Sequence, residues 1–147
     1  MKKLLILLLL SLTLFGAHID DFAKDMNFER DYDTALSKAK AENKVLMMVI
    51  SSDYCPWCRK FENKTLSSKL LKPRLDKDVI SLVVDKNFDE GDFPAKFKTQ
   101  FTPRVFFINP KDESILNESR GYIKKKDFLE YLDDANEYYQ NEESGDC

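Results

Sequence analysis

Three short runs of apolar residues stand out along the chain, and each is long enough for one buried strand. They are Val45–Ile50, Ile80–Val84 and Val105–Ile108. A continuous apolar run bounded by polar or turn-forming residues is typical of a strand that is buried on both faces. A weaker segment, Ser114–Glu118, follows the turn signal Asn109–Asp112 and predicts an edge strand that pairs with the third run as a hairpin.

Helical patterns separate these runs. Asp31–Asn43 is predicted as one helix, a second begins after Cys55, a short one is expected over Pro94–Gln100, and Asp127–Tyr139 is predicted as the last. The last helix carries an apolar stripe at helical spacing, formed by Phe128, Leu132, Ala135 and Tyr139. The first two strands flank a helix long enough for a parallel crossover. The chain is therefore predicted to form an α/β fold, a mixed central sheet with helices on both faces.

The first 17 residues have the pattern of a secretory signal peptide. Lys2 and Lys3 supply positive charge, Leu4–Phe15 is largely apolar, and Ala17 is small enough for a cleavage site. A bulky residue three positions before that site leaves an uncleaved N-terminus as the alternative. Export implies an oxidising compartment in which disulfides persist, and we expect the bacterial periplasm.

The remainder is predicted to be one domain. Residues 18–30 are expected to form an N-terminal arm or short helix, residues 31–139 the folded domain, and residues 140–147 a mobile polar tail. The sequence has 23 Lys and Arg against 26 Asp and Glu, a net charge of −3. This mild acidity, without a basic stripe, argues against a nucleic-acid partner.

The motif Cys55-Pro56-Trp57-Cys58 lies between the first strand and the following helix. At a helix N-terminus, free amide groups and the helix dipole favour a thiolate, which is the species that attacks disulfides. An inert staple is the alternative, but a ring this small constrains the unfolded chain only slightly. The motif therefore favours a redox-active pair.

Metal and haem sites fit the motif poorly. A structural zinc ion usually takes four protein ligands, and beyond the motif the chain offers only Cys147 and His18. Arg59 stands where covalent haem attachment requires histidine. We expect neither a metal nor a cofactor.

Cys147 is read as incidental, or as a free thiol that pairs with a partner, and no role is expected for His18.

With these motifs in place, the chain resembles the thioredoxin superfamily. The matching segments are Lys44–Met48 leading into Tyr54–Cys58, then Leu82–Asp85, Thr102-Pro103 and Gly121-Tyr122. Within the superfamily it is similar to sulfur-oxidation-associated thioredoxins and to the C-terminal domain of transmembrane thiol-disulfide interchange reductases. The resemblance implies a thioredoxin fold over roughly residues 30–139.

The resemblance also implies roles for individual residues. Cys55 would be the exposed nucleophile and Cys58 the resolving thiol. Pro103 would be cis, and Thr102 would present its backbone to an extended substrate chain. By residue type, Trp57 and Tyr54 are candidate apolar contacts to a client protein, or else surface aromatics packed on their own loop.

Three positions depart from the thioredoxin pattern. Val49 stands where thioredoxins carry a buried acid. Asp53 and Glu62 are expected to lie in solvent, with contact to the thiols through water as the alternative, and slow deprotonation of Cys58 is predicted. Pro56-Trp57 replaces Gly-Pro and is closer to the Pro-aromatic pair of glutaredoxins. The Gly-Gly pair with which glutaredoxins bind glutathione is absent from the sequence, so glutathione-specific chemistry is not expected.

Two basic residues follow the motif. Arg59 and Lys60 either favour a Cys55 thiolate or form a solvated helix face.

The function expected from all of this is an exported thiol-disulfide oxidoreductase that reduces protein disulfides. Its partners would be an exported protein with a disulfide or dithiol, and a membrane electron donor or acceptor. Three alternatives stay open: a disulfide donor or isomerase using the same residues, a non-enzymatic client-binding module, and a redox-dependent metal carrier.

Overall fold

The computed structural model describes residues 18–145. The predicted signal peptide, residues 1–17, and Cys147 lie outside the described residues. The described helices are α1 (His18–Met26), α2 (Tyr32–Glu42), α3 (Pro56–Phe61), α4 (Lys72–Asp78) and α5 (Lys125–Gly145), and the strands are β1 (Val45–Ser51), β2 (Val79–Asp85), β3 (Arg104–Ile108) and β4 (Ile115–Arg120). A π-helical turn, Glu62–Leu66, continues α3, and a 3-10 turn covers Ala95–Phe97.

The four strands form one mixed sheet in the order β2-β1-β3-β4. β1 runs parallel to β2, with Val45 opposite Val79 and Ser51 opposite Asp85. β3 is antiparallel to both β1 and β4. Every residue of β1, β2 and β3 is buried, whereas β4 is largely exposed or half-buried. The predicted fold class, including the crossover and the hairpin, is confirmed.

The sheet separates two apolar cores. Alternate side chains of β1 point to opposite faces: Val45, Met47 and Val49 pack in one core, and the intervening residues pack in the other. The first core is closed by α1, α3 and α5, and the second by α2 and the 3-10 turn. This double burial explains why β1 is apolar throughout.

An aromatic cluster joins the last helix to the helix that carries the cysteine motif. The Phe128 ring of α5 meets Phe61 of α3 edge-on at 5.2 Å and Phe107 of β3 at 5.9 Å, measured between ring centroids. All three side chains are fully buried. Phe128 therefore fixes the distance between the motif helix and the sheet.

Residues 18–30 form both a helix and an extended arm. After α1, the backbone N–H of Glu29 donates to the Ser81 carbonyl, and the Val83 N–H donates to the Glu29 carbonyl. This single parallel bridge lies on the outer side of β2. It covers part of a strand edge that would otherwise be open to pairing with another chain.

Two predicted boundaries were wrong. The helix expected over Pro94–Gln100 is only the 3-10 turn. The last helix does not end at Tyr139 but continues to Gly145, so most of the predicted polar tail is helical. Tertiary contacts hold this extension, because Glu143 accepts from Asn43 and Glu142 accepts from Asn109. Among residues 18–145, no helix is long and apolar enough to cross a membrane.

Replacing Phe128 with alanine should lower the free energy of unfolding by about 3–5 kcal/mol, since it removes a fully buried ring that contacts two others. Urea denaturation followed by circular dichroism measures this. Tyr138→Ala, on the exposed side of the same helix, is the matched control and should change stability by less than about 0.5 kcal/mol. Equal losses in the two variants would show that the aromatic cluster does not anchor α5.

Candidate active site

The cysteine motif lies where β1 ends and α3 begins. Cys55 occupies the N-cap position with an extended backbone (φ −110°, ψ 103°), and its Sγ accepts the backbone N–H of Cys58 at 3.1 Å. Pro56 is the first residue of the helix, where its fixed φ suits a first turn and its lack of an N–H costs nothing. The motif thus caps its own helix with sulfur.

Cys55 and Cys58 are joined by a disulfide. The side chain of Cys58 is fully buried, whereas Cys55 is partly exposed. An incoming thiolate can therefore reach Cys55 but not Cys58. This asymmetry fits an exposed nucleophile and a protected resolving thiol.

Thr102 and Pro103 lie beside the disulfide, at the start of β3. Their peptide bond is cis, and the Thr102 carbonyl oxygen is 3.7 Å from Cys55 Sγ. The Pro103 carbonyl accepts the backbone N–H of Gly121, which follows β4. Pro103 is buried and Thr102 is half-buried. The fold therefore brings together both cysteines and the Thr-Pro pair, across more than forty residues of sequence.

Tyr54 and Trp57 both expose more than half of their surface next to the disulfide. The Trp57 ring lies 6.1 Å from that of Tyr122, and the Lys60 ammonium sits over both rings, 4.9 Å and 4.6 Å from their centroids. The Lys60 charge therefore faces two aromatic rings, so this residue is not part of a purely solvated helix face. Its cation–π contacts hold Trp57 in place while leaving the ring accessible.

Two further exposed aromatics were not predicted as site residues. Phe101 immediately precedes Thr102, and Phe88 lies in the loop after β2, where Asn87 Nδ2 donates to Ser52 Oγ at 3.4 Å. The signal in the sequence is a large apolar residue outside the predicted strands and helices. Both belong to the same end of the sheet as the disulfide.

A buried carboxylate lies one helical turn after Cys58. The Glu62 side chain is only 1% exposed, and its backbone N–H donates to the carbonyls of Cys58 and Arg59. Oε1 accepts from Ser51 Oγ at 2.9 Å and from Arg59 Nη2 at 3.0 Å, and Oε2 is 3.1 Å from His18 Nε2. The expectation that Glu62 lies in solvent was wrong, because these partners satisfy both oxygens inside the fold.

Arg59 and His18 also differ from expectation. Arg59 Nη2 donates to Ser51 Oγ, the Ser52 carbonyl and Glu62, so its charge faces the buried carboxylate. His18, for which no role is expected from the sequence, contacts the same group. The His18 contact has no sequence signal, since it depends on how the helices pack. The Arg59 contact does have one, because side chains three residues apart on a helix are neighbours.

Burial raises the pKa of the Glu62 carboxyl above its ordinary value. The Arg59 charge and the Ser51 hydrogen bond oppose this, and the nearby Asp53 carboxylate adds to it. Asp53 is itself half-buried, with its backbone N–H donating to Asp85 Oδ2 at 3.1 Å. A carboxyl with a raised pKa exchanges protons closer to neutral pH than an exposed one.

Val49 is buried between Val83 of β2 and Val105 of β3. No ionisable group therefore occupies the strand position at which thioredoxins carry an acid. The buried carboxylate in this region is instead that of Glu62, on the helical stretch that follows the motif.

A family model described as a thioredoxin-like domain matches residues 32–136. The chain belongs to this family. The expected membership of the thioredoxin superfamily is confirmed, and the Cys55–Cys58 disulfide at its CxxC spacing supports thiol-disulfide oxidoreductase chemistry in this member.

Two curated proteins are similar over most of the chain. An uncharacterised protein of Borreliella burgdorferi is 26% identical over 115 residues, covering 74% of this chain and 48% of the relative. Anterior gradient protein 2 of Xenopus laevis is 26% identical over 121 residues, covering 82% of this chain and 63% of that protein. The chain thus spans about half to three-fifths of the length of these relatives.

Solved structures agree on the fold. A thioredoxin from Thermus thermophilus superposes with a TM-score of 0.64 at 23% identity, covering 72% of this chain and 84% of that one. The oxidised C-terminal domain of Neisseria meningitidis DsbD gives a TM-score of 0.56 at 16% identity, and the match covers 72% of this chain and 97% of that domain. At this identity the likeness shows a common fold.

When the reduced protein is treated with limiting iodoacetamide, Cys55 should react at least about tenfold faster than Cys58. The reason is that Cys55 is partly exposed, whereas Cys58 is fully buried. Fragmentation mass spectrometry of the peptide that contains both cysteines measures the ratio. Cys58→Ser should keep the fast reaction and Cys55→Ser should lose it. Equal labelling of the two sulfurs would contradict the assigned roles.

Proposed function

We propose that this protein reduces disulfides in exported client proteins. The observation that carries the proposal is the pairing of one partly exposed and one fully buried sulfur beside the Thr102 carbonyl. The exposed sulfur can form a mixed disulfide with a protein, and the buried one can resolve it.

The reaction begins with the dithiol form of the protein. The Cys55 thiolate, stabilised by the Cys58 N–H, attacks one sulfur of the client disulfide, and the other client sulfur leaves as a thiolate. Cys58 then loses its proton and attacks Cys55 Sγ, which breaks the mixed disulfide and releases the second client thiolate. The client gains two electrons and the protein ends with the Cys55–Cys58 disulfide. A membrane electron donor would restore the dithiol.

Glu62 is the group that takes the proton of Cys58. It follows Cys58 by one helical turn, the spacing at which side chains on a helix are neighbours, and both side chains are buried. Its raised pKa makes it a better match for a thiol than an exposed carboxylate is. Glu62 would therefore do the work of the acid that is absent at Val49.

A protein client fits this surface better than a small thiol. Tyr54 and Trp57 expose apolar rings next to the disulfide, and Phe88 and Phe101 expose theirs at the same end of the sheet. Such rings are effective anchors for protein contacts. The half-buried Thr102 backbone lies next to Cys55, so an extended client segment could pair with it. A non-enzymatic binding module would use the same surface but would not require Cys55.

Export to the bacterial periplasm is part of the proposal. It is supported by the signal-peptide pattern of residues 1–17 and by the use of a disulfide, which persists in oxidising compartments. Cell fractionation should recover the protein with the periplasmic contents, and recovery only from the cytosol would overturn this part.

The main proposal is tested by an insulin reduction assay, in which turbidity measures the reduction of insulin disulfides. All variants in this assay also carry Cys147→Ser. Cys55→Ser should abolish turnover, whereas Cys58→Ser should accumulate a client mixed disulfide at Cys55. Retention of client binding without turnover in the unaltered protein would favour the binding module. A reduction potential near about −270 mV would support a reductase, and one near about −120 mV would make it a disulfide donor.

Glu62→Gln should slow resolution of the mixed disulfide by about 100-fold near neutral pH, because a general base is lost. In the unaltered protein, the rate should rise with pH as Glu62 ionises. Since the pKa of Glu62 is raised, this rise should lie above the pH at which an exposed glutamate titrates. Stopped-flow tryptophan fluorescence, with Trp57 as the probe, measures it.

Glu137→Gln, an exposed carboxylate on α5, is the matched control and should leave the pH profile unchanged. An unaltered profile in Glu62→Gln would remove Glu62 from the mechanism.

A further inference from the structure

The sequence contains a single histidine, and it contacts the buried carboxylate beneath the motif. His18, the first residue of α1, places Nε2 at 3.1 Å from Glu62 Oε2, although 44 residues separate them. The His18 side chain is 51% exposed, whereas that of Glu62 is 1% exposed. One ring therefore touches both the buried oxygen and the solvent.

The other groups that face Glu62 cannot pass a proton outward. Arg59 stays protonated at any physiological pH, and the Ser51 hydroxyl does not ionise in this range. Asp53 acts on Glu62 through its charge and not through a hydrogen bond. Imidazole, in contrast, exchanges protons between about pH 5 and 8. Of the groups within residues 18–145 that contact Glu62, only His18 combines this property with broad exposure.

We propose that His18 is the solvent end of a proton path that leads from Cys58 through Glu62. The inference rests on the proposed role of Glu62 as proton acceptor. When Cys58 becomes a thiolate, its proton goes to the Glu62 carboxylate. Oε2–H then donates the proton to His18 Nε2 as Nδ1–H releases one to water, so Glu62 returns to its ionised form. His18 therefore acts on the motif cysteines through Glu62 and not by direct contact with them.

Two consequences separate this role from a merely structural contact between α1 and the π-helical turn. The first is linkage: if His18 and Cys58 share Glu62, the redox state of the cysteines must alter the titration of the ring, and the coupling is reciprocal. The second is replaceability: a small base in solution can take over proton exchange, but it cannot restore lost packing.

The first test is an NMR titration of the His18 ring in histidine-labelled protein that carries Cys147→Ser, in the disulfide and dithiol forms. Because the chain has one histidine, the ring signals need no further assignment. The titration midpoint should differ between the two forms, and the difference should vanish in Glu62→Gln. Identical midpoints in the two forms of the unaltered protein would overturn the proposal.

The second test is chemical rescue. His18→Ala should slow resolution of the mixed disulfide about tenfold near neutral pH, and free imidazole should restore the rate. Lys24→Ala, an exposed change on the same helix, should have no effect and gain nothing from imidazole. A loss that imidazole does not repair would overturn the path.

These readouts also separate this inference from the proposed function. If the unaltered protein fails to reduce insulin, the reductase proposal falls, while the midpoint difference still reports whether Glu62 links His18 to the cysteines. If insulin is reduced at the normal rate and the midpoints are identical, only the role of His18 falls.

Discussion

A carboxylate buried in an apolar domain is tolerated only when each of its oxygens has a partner, and this constraint organises the end of the sheet that carries the cysteines. An unpaired buried charge costs several kcal/mol. Glu62 avoids that cost through Ser51 at the end of β1, Arg59 on α3 and His18 on α1. Three elements therefore have to meet at fixed positions around one side chain. The loop that holds Cys55 is tied to the same cluster, because Arg59 also binds the Ser52 carbonyl.

Apolar packing fixes the other side of the motif helix. Phe61 immediately precedes Glu62 and turns into the aromatic cluster with Phe128 and Phe107, while Glu62 turns toward β1 and α1. The π-helical turn begins at this point. Single π-helical turns of this kind occur frequently at functional sites. Here the turn buries Glu62, Thr65 and Leu66 together, so one stretch of helix serves both the core and the site.

The sequence was sufficient for those features whose cause is local. Three apolar runs identify the buried strands, because a strand covered on both faces has no polar side. The CxxC motif after β1 and the Thr-Pro pair before β3 locate the sulfur chemistry. The burial of Glu62 could not be predicted, since two of its three partners, Ser51 and His18, are distant in sequence and nothing in their spacing indicates that they meet. The extension of α5 beyond Tyr139 was missed for a similar reason: its contacts with Asn43 and Asn109 are tertiary.

The same cluster bears on the direction of the redox reaction. A strongly oxidising pair is one in which the fold stabilises the reduced, thiolate form. Near Cys55 the available stabilisers are the Cys58 N–H and the start of a helix of six residues. The cation best placed to add to them, Arg59, is hydrogen-bonded to Glu62, and Lys60 lies over the rings of Trp57 and Tyr122. With both cations engaged elsewhere, the thiolate gains little extra stabilisation, and the dithiol keeps its tendency to give electrons away. This charge arrangement supports the proposed direction, that of a reductase, over that of a disulfide donor.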